Sequence, residues 1–305
     1  MEKNIFAKLI ATAMNLQEKA VANTLALLDE GCTIPFISRY RKERTGGLDE
    51  VQIAGISDRY EKLNEIQKRK ETVTKTITDL GKMTPELTKR IEACWDATEL
   101  EDIYLPYKPK RRTRAQVARE QGLEPLAQTL MLQRERDPER AAERYVKGDV
   151  TNTEAAIKGA QDIIAEIVSE DERSRQQLRT SFSRQAFITS KVVKAKADTD
   201  EAAKYSDYFD WEEPLKRCSS HRLLAMRRGE SEGILRISIS PDDEEAVERL
   251  KRHYVYGNTP CGKLVAEAVE DGYKRLLKPA IETEFSALSK EKADEEAIRV
   301  FAENL

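Results

Sequence analysis

Apolar residues recur at helical spacing along most of the chain, and this pattern predicts a series of helices. An opening segment places Phe6, Ile10 and Met14 on one face, and the segment after it repeats the pattern. From Leu48 to about Leu80 the spacing continues without a break. A helix of about 30 residues spans roughly 45 Å, which is too long for one compact layered domain. Short helices followed by one long helix are therefore predicted.

Later segments carry two further patterns. A second long helix is predicted from Thr153, as its cap, to about Phe182. Gly233 to Ser240 alternates apolar and polar residues, which indicates a strand. Its plausible partner within the chain is Phe187 to Val193, and otherwise the partner lies outside the chain. Pro279 is expected to kink or divide a helix, and Ala297 to Leu305 is predicted to form another.

Together these elements predict a mainly α fold. It is an elongated multi-helix assembly with two long helices and one short β element near residues 233–240. The organisation predicted from the sequence is an N-terminal helical region over residues 1–196 and a second, mostly helical region over 197–305. Short helices between Ala115 and Pro138 resemble a helix-turn-helix arrangement, although none of them carries a basic recognition face.

Composition limits the class of protein. Charged residues make up 35% and aromatic residues 6%, which is typical of a helix-rich soluble protein. No apolar run approaches the length of about 20 residues that a membrane span needs, and no signal-peptide core is visible. No membrane partner is predicted, and the predicted location is the cytoplasm. The net charge is −3, so any contact with a polyanion should be local.

Cysteine and histidine usage does not favour a metal site. The four cysteines are scattered without close pairs, which suits a reducing compartment. Cys218 and His221 lie three residues apart, but His253 and Cys261 lack normal zinc-ligand spacing. Neither a metal site nor a cofactor is predicted.

The segment from Thr33 to Glu50 predicts a basic corner between two helices. Ile34, Phe36, Ile37 and Tyr40 supply a short apolar face. Four basic residues follow within six positions, namely Arg39, Arg41, Lys42 and Arg44. Gly46 and Gly47 then end the helix, and Gly47 is expected to need a positive φ. We interpret this corner mainly as a hinge that begins the long helix, with phosphate contact as a second role. Glu43, Asp49 and Glu50 are candidate ion-pair partners for its arginines.

A second basic segment, Lys108 to Arg114, is the stronger phosphate candidate. It holds five basic residues in seven positions and no acid: Lys108, Lys110, Arg111, Arg112 and Arg114. Pro106 and Pro109 oppose helix formation, which predicts an extended loop with Tyr104 and Tyr107 beside it. Such a loop binds phosphates while an aromatic ring stacks on an unpaired base. In the alternative interpretation, the basic residues pair with Glu99, Glu101 and Asp102 and fix the loop to the fold.

Several segments resemble the Tex family of bacterial transcription accessory proteins. They include the basic corner with its Gly-Gly-Leu-Asp-Glu, the Glu-Leu-Glu-Asp-Ile-Tyr-Leu-Pro-Tyr at 99–107, and the Asp-Ile-Ile-Ala-Glu at 162–166. The resemblance covers essentially the whole chain and ends at a Phe-Ala-Glu-Asn-Leu, which in the family leads into an RNase H-like domain. Helix-hairpin-helix elements and an OB-fold RNA-binding domain follow there. The chain is therefore expected to be the N-terminal portion of a longer protein.

The resemblance implies single-stranded nucleic acid, RNA or DNA, as the partner of the full-length protein, and a role around transcription. We predict a non-enzymatic helical scaffold that contacts phosphate through its basic segments. The alternative is a protein-interaction scaffold that docks on polymerase or on the family's C-terminal domains, without binding nucleic acid itself. Ser220 and His221 are adjacent at a helix start, with no nucleophile elbow, phosphate loop or dinucleotide fingerprint elsewhere. Catalysis is not predicted.

Overall fold

A computed structural model describes residues 2–303 of the chain, with side chains over 4–301. Its contacts divide the chain into two compact units, one up to Lys108 and one from Pro109 onward. The mainly α class predicted from the sequence is confirmed. The boundary predicted at residues 196 and 197 falls within the second unit and stays a prediction.

The first unit is entirely helical over its described residues. Its helices are α1 (Glu2–Met14), α2 (Glu18–Asp29), α3 (Ile34–Tyr40), α4 (Lys42–Thr45), α5 (Glu50–Asp79), α6 (Pro85–Ala93) and α7 (Ala97–Tyr104), and a 3₁₀ turn spans Leu105–Tyr107. The long helix predicted after the basic corner is α5, with 30 residues. The Asp49 carboxylate accepts a hydrogen bond from the Gln52 backbone amide, and the Gln52 side-chain oxygen accepts one from the Asp49 backbone amide, so a reciprocal capping box starts the helix.

Two apolar clusters lie along α5, which explains why one helix is so long. The first contains Ile53 and Ile56 with side chains of α1, α2 and α3. The second contains Val73 and Ile77 with side chains of α6 and α7. Because each cluster buries its own stretch of the apolar face, both ends of the helix are stabilised by packing.

The second unit surrounds a small sheet with helices. Its helices are α8 (Arg114–Glu120), α9 (Glu124–Leu132), α10 (Pro138–Glu143), α11 (Thr153–Glu170), α12 (Glu172–Gln185), α13 (Asp200–Ala203), α14 (Ser220–Ser231), α15 (Asp243–Tyr254), α16 (Pro260–Gly272) and α17 (Lys278–Glu303). Its strands are β1 (Phe187–Val192), β2 (Asp210–Pro214) and β3 (Leu235–Ser240). The short helices α8 to α10 pack against α11, and their helix-turn-helix interpretation stays a prediction.

The prediction of a single helix from Thr153 to Phe182 is wrong, because the helix ends at Glu170 and a second one begins after Asp171. The carboxylate of Asp171 accepts a hydrogen bond from the Ser174 amide at 2.8 Å and starts α12 as a new helix. Asn152, rather than Thr153, caps α11 by accepting from the Ala155 amide at 2.8 Å. A capping residue inside an otherwise helical pattern thus divides the predicted helix in two.

The predicted strand pairs within the chain, and the expected partner is confirmed. β1 is the central strand and pairs antiparallel with both β2 and β3, with Ile188 opposite Ile239. The prediction of one β element is incomplete, because β2 completes a three-stranded sheet. Its sequence, Asp-Trp-Glu-Glu-Pro, lacks the apolar alternation that identifies a strand. On the free edge of β3, Glu282 accepts a hydrogen bond from the Ile239 amide at 2.9 Å.

The end of the described chain is one continuous helix rather than two. A π-helical turn, Tyr273–Leu277, lies between α16 and α17, and Pro279 is the second residue of α17. The kink or division predicted at Pro279 stays a prediction. The separate helix predicted over residues 297–305 is wrong for the described part, since α17 runs through to Glu303. Residues 304–305 lie outside the described residues. Within the described chain, no helix has the length and hydropathy to cross a membrane.

Candidate nucleic-acid interface

The sequence predicts one helix before the glycine pair, and the structure divides it into α3 and α4 at the basic corner. α3 ends at Tyr40, Arg41 adopts a non-helical conformation with φ −132°, and α4 adds a single turn. Gly46 and Gly47 then take φ values of 70° and 86°. The positive φ predicted for Gly47 is therefore confirmed. Buried Thr45 and Leu48 fix the corner to the core of the first unit, and the Arg44 carbonyl accepts a hydrogen bond from Asn23 at 2.7 Å.

An exposed aromatic pair lies on this corner. The rings of Phe36 and Tyr40 have centroids 5.4 Å apart, and the Arg41 guanidinium lies 5.0 Å from the Phe36 centroid. Tyr40 is 63% exposed and Phe36 is 37% exposed, whereas Ile37 between them is fully buried. Assigning both rings to the apolar face with Ile37 was therefore wrong. Their i, i+4 spacing among arginines is the signal that identifies a surface pair.

The charges of the corner are only weakly neutralised by the fold. Arg44 lies 3.6 Å from Glu30, with both side chains about half exposed, so this pair contributes little. The predicted partner Asp49 is instead the cap of α5. Over residues 4–301, the structure shows no ion pair of Arg39 or Lys42. The corner thus presents positive charge next to two solvent-facing rings.

The basic loop is held by Glu120, Glu166 and Glu170, which all belong to the second unit. The extended backbone ends at Thr113, because Arg114 is already the first residue of α8. The ammonium group of Lys110 contacts the carboxylates of Glu170 and Glu166, the latter at 3.5 Å. Arg112 donates to Glu120 at 2.9 Å. These acids lie on α8 and on α11, which packs against it, so the fold supplies partners that are distant in sequence.

Glu101, one of the three acids predicted to pin the loop, pairs with Arg69 of α5 instead. Glu101 accepts a hydrogen bond from Arg69 at 2.5 Å, and that guanidinium lies 5.1 Å from the ring centroid of Tyr104. Tyr104 is buried, with 6% of its surface exposed. The prediction that Tyr104 could stack on a base beside the loop is therefore wrong, because its ring packs inside the first unit.

Glu166 is the centre of the loop's attachment. Its side chain is 9% exposed and receives the Arg119 guanidinium at 2.6 Å, the Thr113 hydroxyl at 3.0 Å and the charge of Lys110. Burial by itself would raise the pKa of Glu166. The hydrogen bond from Arg119, the charge of Lys110 and the Thr113 hydroxyl outweigh it and lower the pKa below its usual value.

Glu170 behaves in the opposite way. Burial raises the pKa of Glu170, and the hydrogen bond from Lys110 offsets only part of that effect. The two carboxylates that share Lys110 therefore differ in how strongly the fold favours their charge. Lys110 is chiefly an anchor of the loop, whereas Lys108, Arg111 and Arg114 are exposed and show no ion pair in the described residues.

The residues considered for metal binding do not form a ligand cluster in the described part of the chain. Within the described residues, no three His, Cys, Asp or Glu side chains converge as a metal site would require. Burial and the neighbouring Glu213 raise the pKa of the Cys218 thiol to about 12, which keeps it protonated at neutral pH. Ser219 is the N-cap residue of α14, and its hydroxyl lies 3.3 Å from the His221 ring at the surface. The absence of catalysis stays a prediction.

These features define a class of mainly helical proteins that present basic and aromatic side chains on short helices and on the turns between them. The chain belongs to the Tex family. Residues 4–78 match the sequence model of the Tex-like protein N-terminal domain, and residues 133–301 match that of the Tex central region.

Curated relatives agree with this assignment. Protein YdcI of Bacillus subtilis is 41% identical over 300 residues, which cover 97% of this chain and 42% of the relative. The transcriptional accessory protein Tex of Neisseria gonorrhoeae is 40% identical over 287 residues, 92% of this chain and 38% of the relative. The human S1 RNA-binding domain-containing protein 1 is 27% identical over 313 residues, 98% of this chain and 31% of the relative. The chain thus spans about two fifths of the length of its bacterial relatives.

Proposed function

We propose that this chain is a non-enzymatic, nucleic-acid-associated module of a transcription accessory factor that acts in the cytoplasm. The names of two relatives support this proposal, since one refers to transcription and the other to an RNA-binding domain. The proposed ligand is single-stranded RNA or DNA.

The observation that carries the proposal is the exposed ring pair on the basic corner. An unpaired base stacks on a solvent-facing aromatic ring whatever its sequence, and arginine and lysine beside it neutralise phosphates. Phe36 and Tyr40 provide the rings, and Arg39, Arg41 and Lys42 the charge. The buried bases of a duplex cannot reach such rings, so single strands are the better ligand.

The basic loop supports a secondary phosphate contact. Lys110 and Arg112 are paired with acids of the second unit, which lowers the charge they offer to a ligand. Arg111 and Arg114 are exposed and remain available. The geometry therefore favours the corner over the loop as the principal contact, which reverses the order that the sequence suggested.

The test is fluorescence anisotropy of a labelled single-stranded oligonucleotide of about 15 nucleotides, titrated with the chain at several salt concentrations. We expect binding at low salt that weakens steeply as salt rises. Replacing both rings, in the variant Phe36→Ala/Tyr40→Ala, should weaken binding about tenfold and leave the salt slope unchanged, since phosphate contacts persist.

The matched control is Phe36→Leu/Tyr40→Leu, which keeps apolar bulk but removes the rings. It should weaken binding as much as the alanine pair. Absence of binding at low salt would reject the proposed function. Full affinity in the leucine pair would show that stacking on the corner is not the mode of contact.

A second candidate function, docking on a protein partner such as polymerase or the family's C-terminal domains, is favoured by a different surface. Near the end of α17, Ile298, Val300 and Phe301 are 69%, 47% and 68% exposed. Apolar side chains exposed together are typical of interaction sites. This candidate predicts no oligonucleotide binding by the chain, so the same titration separates the two.

A further inference from the structure

The segment from Lys251 to Lys263 is a basic stretch that the corner and the loop do not include. It contains no acid across 13 residues and carries two tyrosines, Tyr254 and Tyr256. Their environments differ sharply. The Tyr254 hydroxyl lies 2.6 Å from the Ser174 hydroxyl and 3.0 Å from the Asp171 carboxylate, inside the second unit. Tyr256 is 75% exposed.

The backbone around Tyr256 is fixed by a strained residue. Gln133 ends α9 with φ 54°, a left-handed conformation that is uncommon for glutamine. Its side-chain amide donates to the Tyr254 carbonyl at 2.5 Å and accepts from the Tyr256 amide at 3.0 Å. The Cys261 thiol also donates to the Glu135 carbonyl at 3.3 Å. The exposed ring is therefore presented from a pre-organised loop, and such strain is often found at functional sites.

Positive charge flanks this ring. Arg134 and Arg136 lie one and three residues after Gln133, and Arg252 lies on the last turn of α15. All three side chains are exposed, and the described residues show no ion pair for any of them. Between the two arginines, the carboxylate of Glu135 turns back to accept hydrogen bonds from the amides of Arg136 and Asp137, at 2.8 and 3.0 Å. Glu135 therefore makes no direct ion pair with either arginine in the described residues.

We infer that Arg134, Arg136, Arg252 and Tyr256, together called the Tyr256 surface, form a second contact for single-stranded nucleic acid. A base stacks on the Tyr256 ring, and the three arginines neutralise neighbouring phosphates. This inference rests on the proposed function, because it assigns a further site for the same ligand. Three exposed arginines without an ion pair in the described residues, beside a rigid aromatic ring, favour a polyanion with π-faces over an apolar partner.

Photo-crosslinking tests the inference directly. The full chain is mixed at low salt with a single-stranded oligonucleotide that carries bromouridine, irradiated and digested, and the modified peptides are identified by mass spectrometry. We expect crosslinks on the peptide that contains Tyr256. Crosslinks confined to other peptides would overturn the inference.

Binding measurements with substitutions provide a second readout. Tyr256→Ala should weaken oligonucleotide binding about fivefold or more, whereas Tyr256→Phe, which keeps the ring, should bind as the unmodified chain does. Arg134→Gln/Arg136→Gln should lower the salt slope by about 1.4, as expected for two lost phosphate contacts on a single strand. Melting temperatures identify any variant that fails to fold. If Tyr256→Ala fails to fold, the arginine pair tests the inference by itself.

The outcomes distinguish this inference from the proposed function. If the chain binds the oligonucleotide but neither Tyr256→Ala nor the arginine pair changes affinity, the inference fails and the proposed function stands. The surface would then fit an acidic protein partner instead. If the unmodified chain does not bind at all, the proposed function fails and the inference fails with it.

Discussion

Replacing Glu166 with glutamine is expected to lower the free energy of unfolding by about 2–3 kcal/mol. The carboxylate is nearly buried and is shared by Arg119, Thr113 and Lys110. Removing its charge while keeping its shape leaves Arg119 paired with Glu124 alone and Lys110 with Glu170 alone among the described residues, and leaves a nearly buried amide in place of their shared carboxylate. Urea denaturation followed by circular dichroism measures the effect, and we expect a lower midpoint with the slope unchanged.

Glu170→Gln is the matched control, four residues further along α11. Its raised pKa shows that the fold disfavours the charge of Glu170, and Lys110 retains Glu166 at 3.5 Å when Glu170 is neutral. We expect a change within about 0.5 kcal/mol. Equal losses in the two variants would contradict the assignment of Glu166 as the centre of the attachment.

The pH dependence of folding stability should also distinguish Glu166 from Glu170. Folding lowers the pKa of Glu166. Its contribution to stability is therefore present at pH values above the pKa of the unfolded state and is lost as the pH falls through the lower pKa of the folded state. The stability difference between Glu166→Gln and the unmodified chain should therefore shrink below about pH 4. For Glu170, folding raises the pKa. Its charge therefore begins to destabilise the fold as the pH rises above the pKa that Glu170 has in the unfolded chain.

Gly47→Val is expected to destabilise the chain by about 2 kcal/mol, through backbone strain at the corner. Gly47 has φ 86°, and its amide donates to the Lys42 carbonyl at 2.9 Å, which closes α4. A Cβ placed there would meet no atom within 4 Å, so crowding plays no part. Differential scanning calorimetry should show a lower melting temperature.

Two controls isolate the backbone effect. Gly47→Asn should lower the free energy of unfolding clearly less than Gly47→Val does, because asparagine tolerates the left-handed region better than a β-branched residue does. Gly257→Val also places a side chain in open space but at an ordinary φ, and should be nearly neutral. A melting temperature unchanged by Gly47→Val would show that the corner does not depend on its left-handed glycines.

Local patterns in the sequence were sufficient for much of the fold. The apolar period identified α5, and the alternation over 233–240 identified β3. The glycine pair indicated the left-handed turn at the corner. Each of these features is decided by residues that are neighbours in sequence, which is why a single sequence reveals them.

Features decided by tertiary contacts were not predictable in the same way. β2 is a charged segment that becomes a strand because β1 offers it a hydrogen-bonding edge. Lys110 meets Glu166 and Glu170 only because α8 packs against α11, at a separation of 60 residues for the Glu170 contact. The exposure of Tyr40 likewise depends on which side of a short helix the core occupies. The candidate site therefore needed the structure, although its basic residues were visible in the sequence.

The most direct test of the central claim is the salt dependence of oligonucleotide binding in two charge-reversed pairs. Arg39→Glu/Lys42→Glu reverses two charges at the corner, and Lys62→Glu/Lys75→Glu reverses two charges at exposed positions along α5. We expect the corner pair to weaken binding and to lower the slope of log K against log salt by at least about 1.4. The α5 pair should leave that slope nearly unchanged. Equal losses in both pairs, or none in the corner pair, would contradict a specific nucleic-acid contact at the corner.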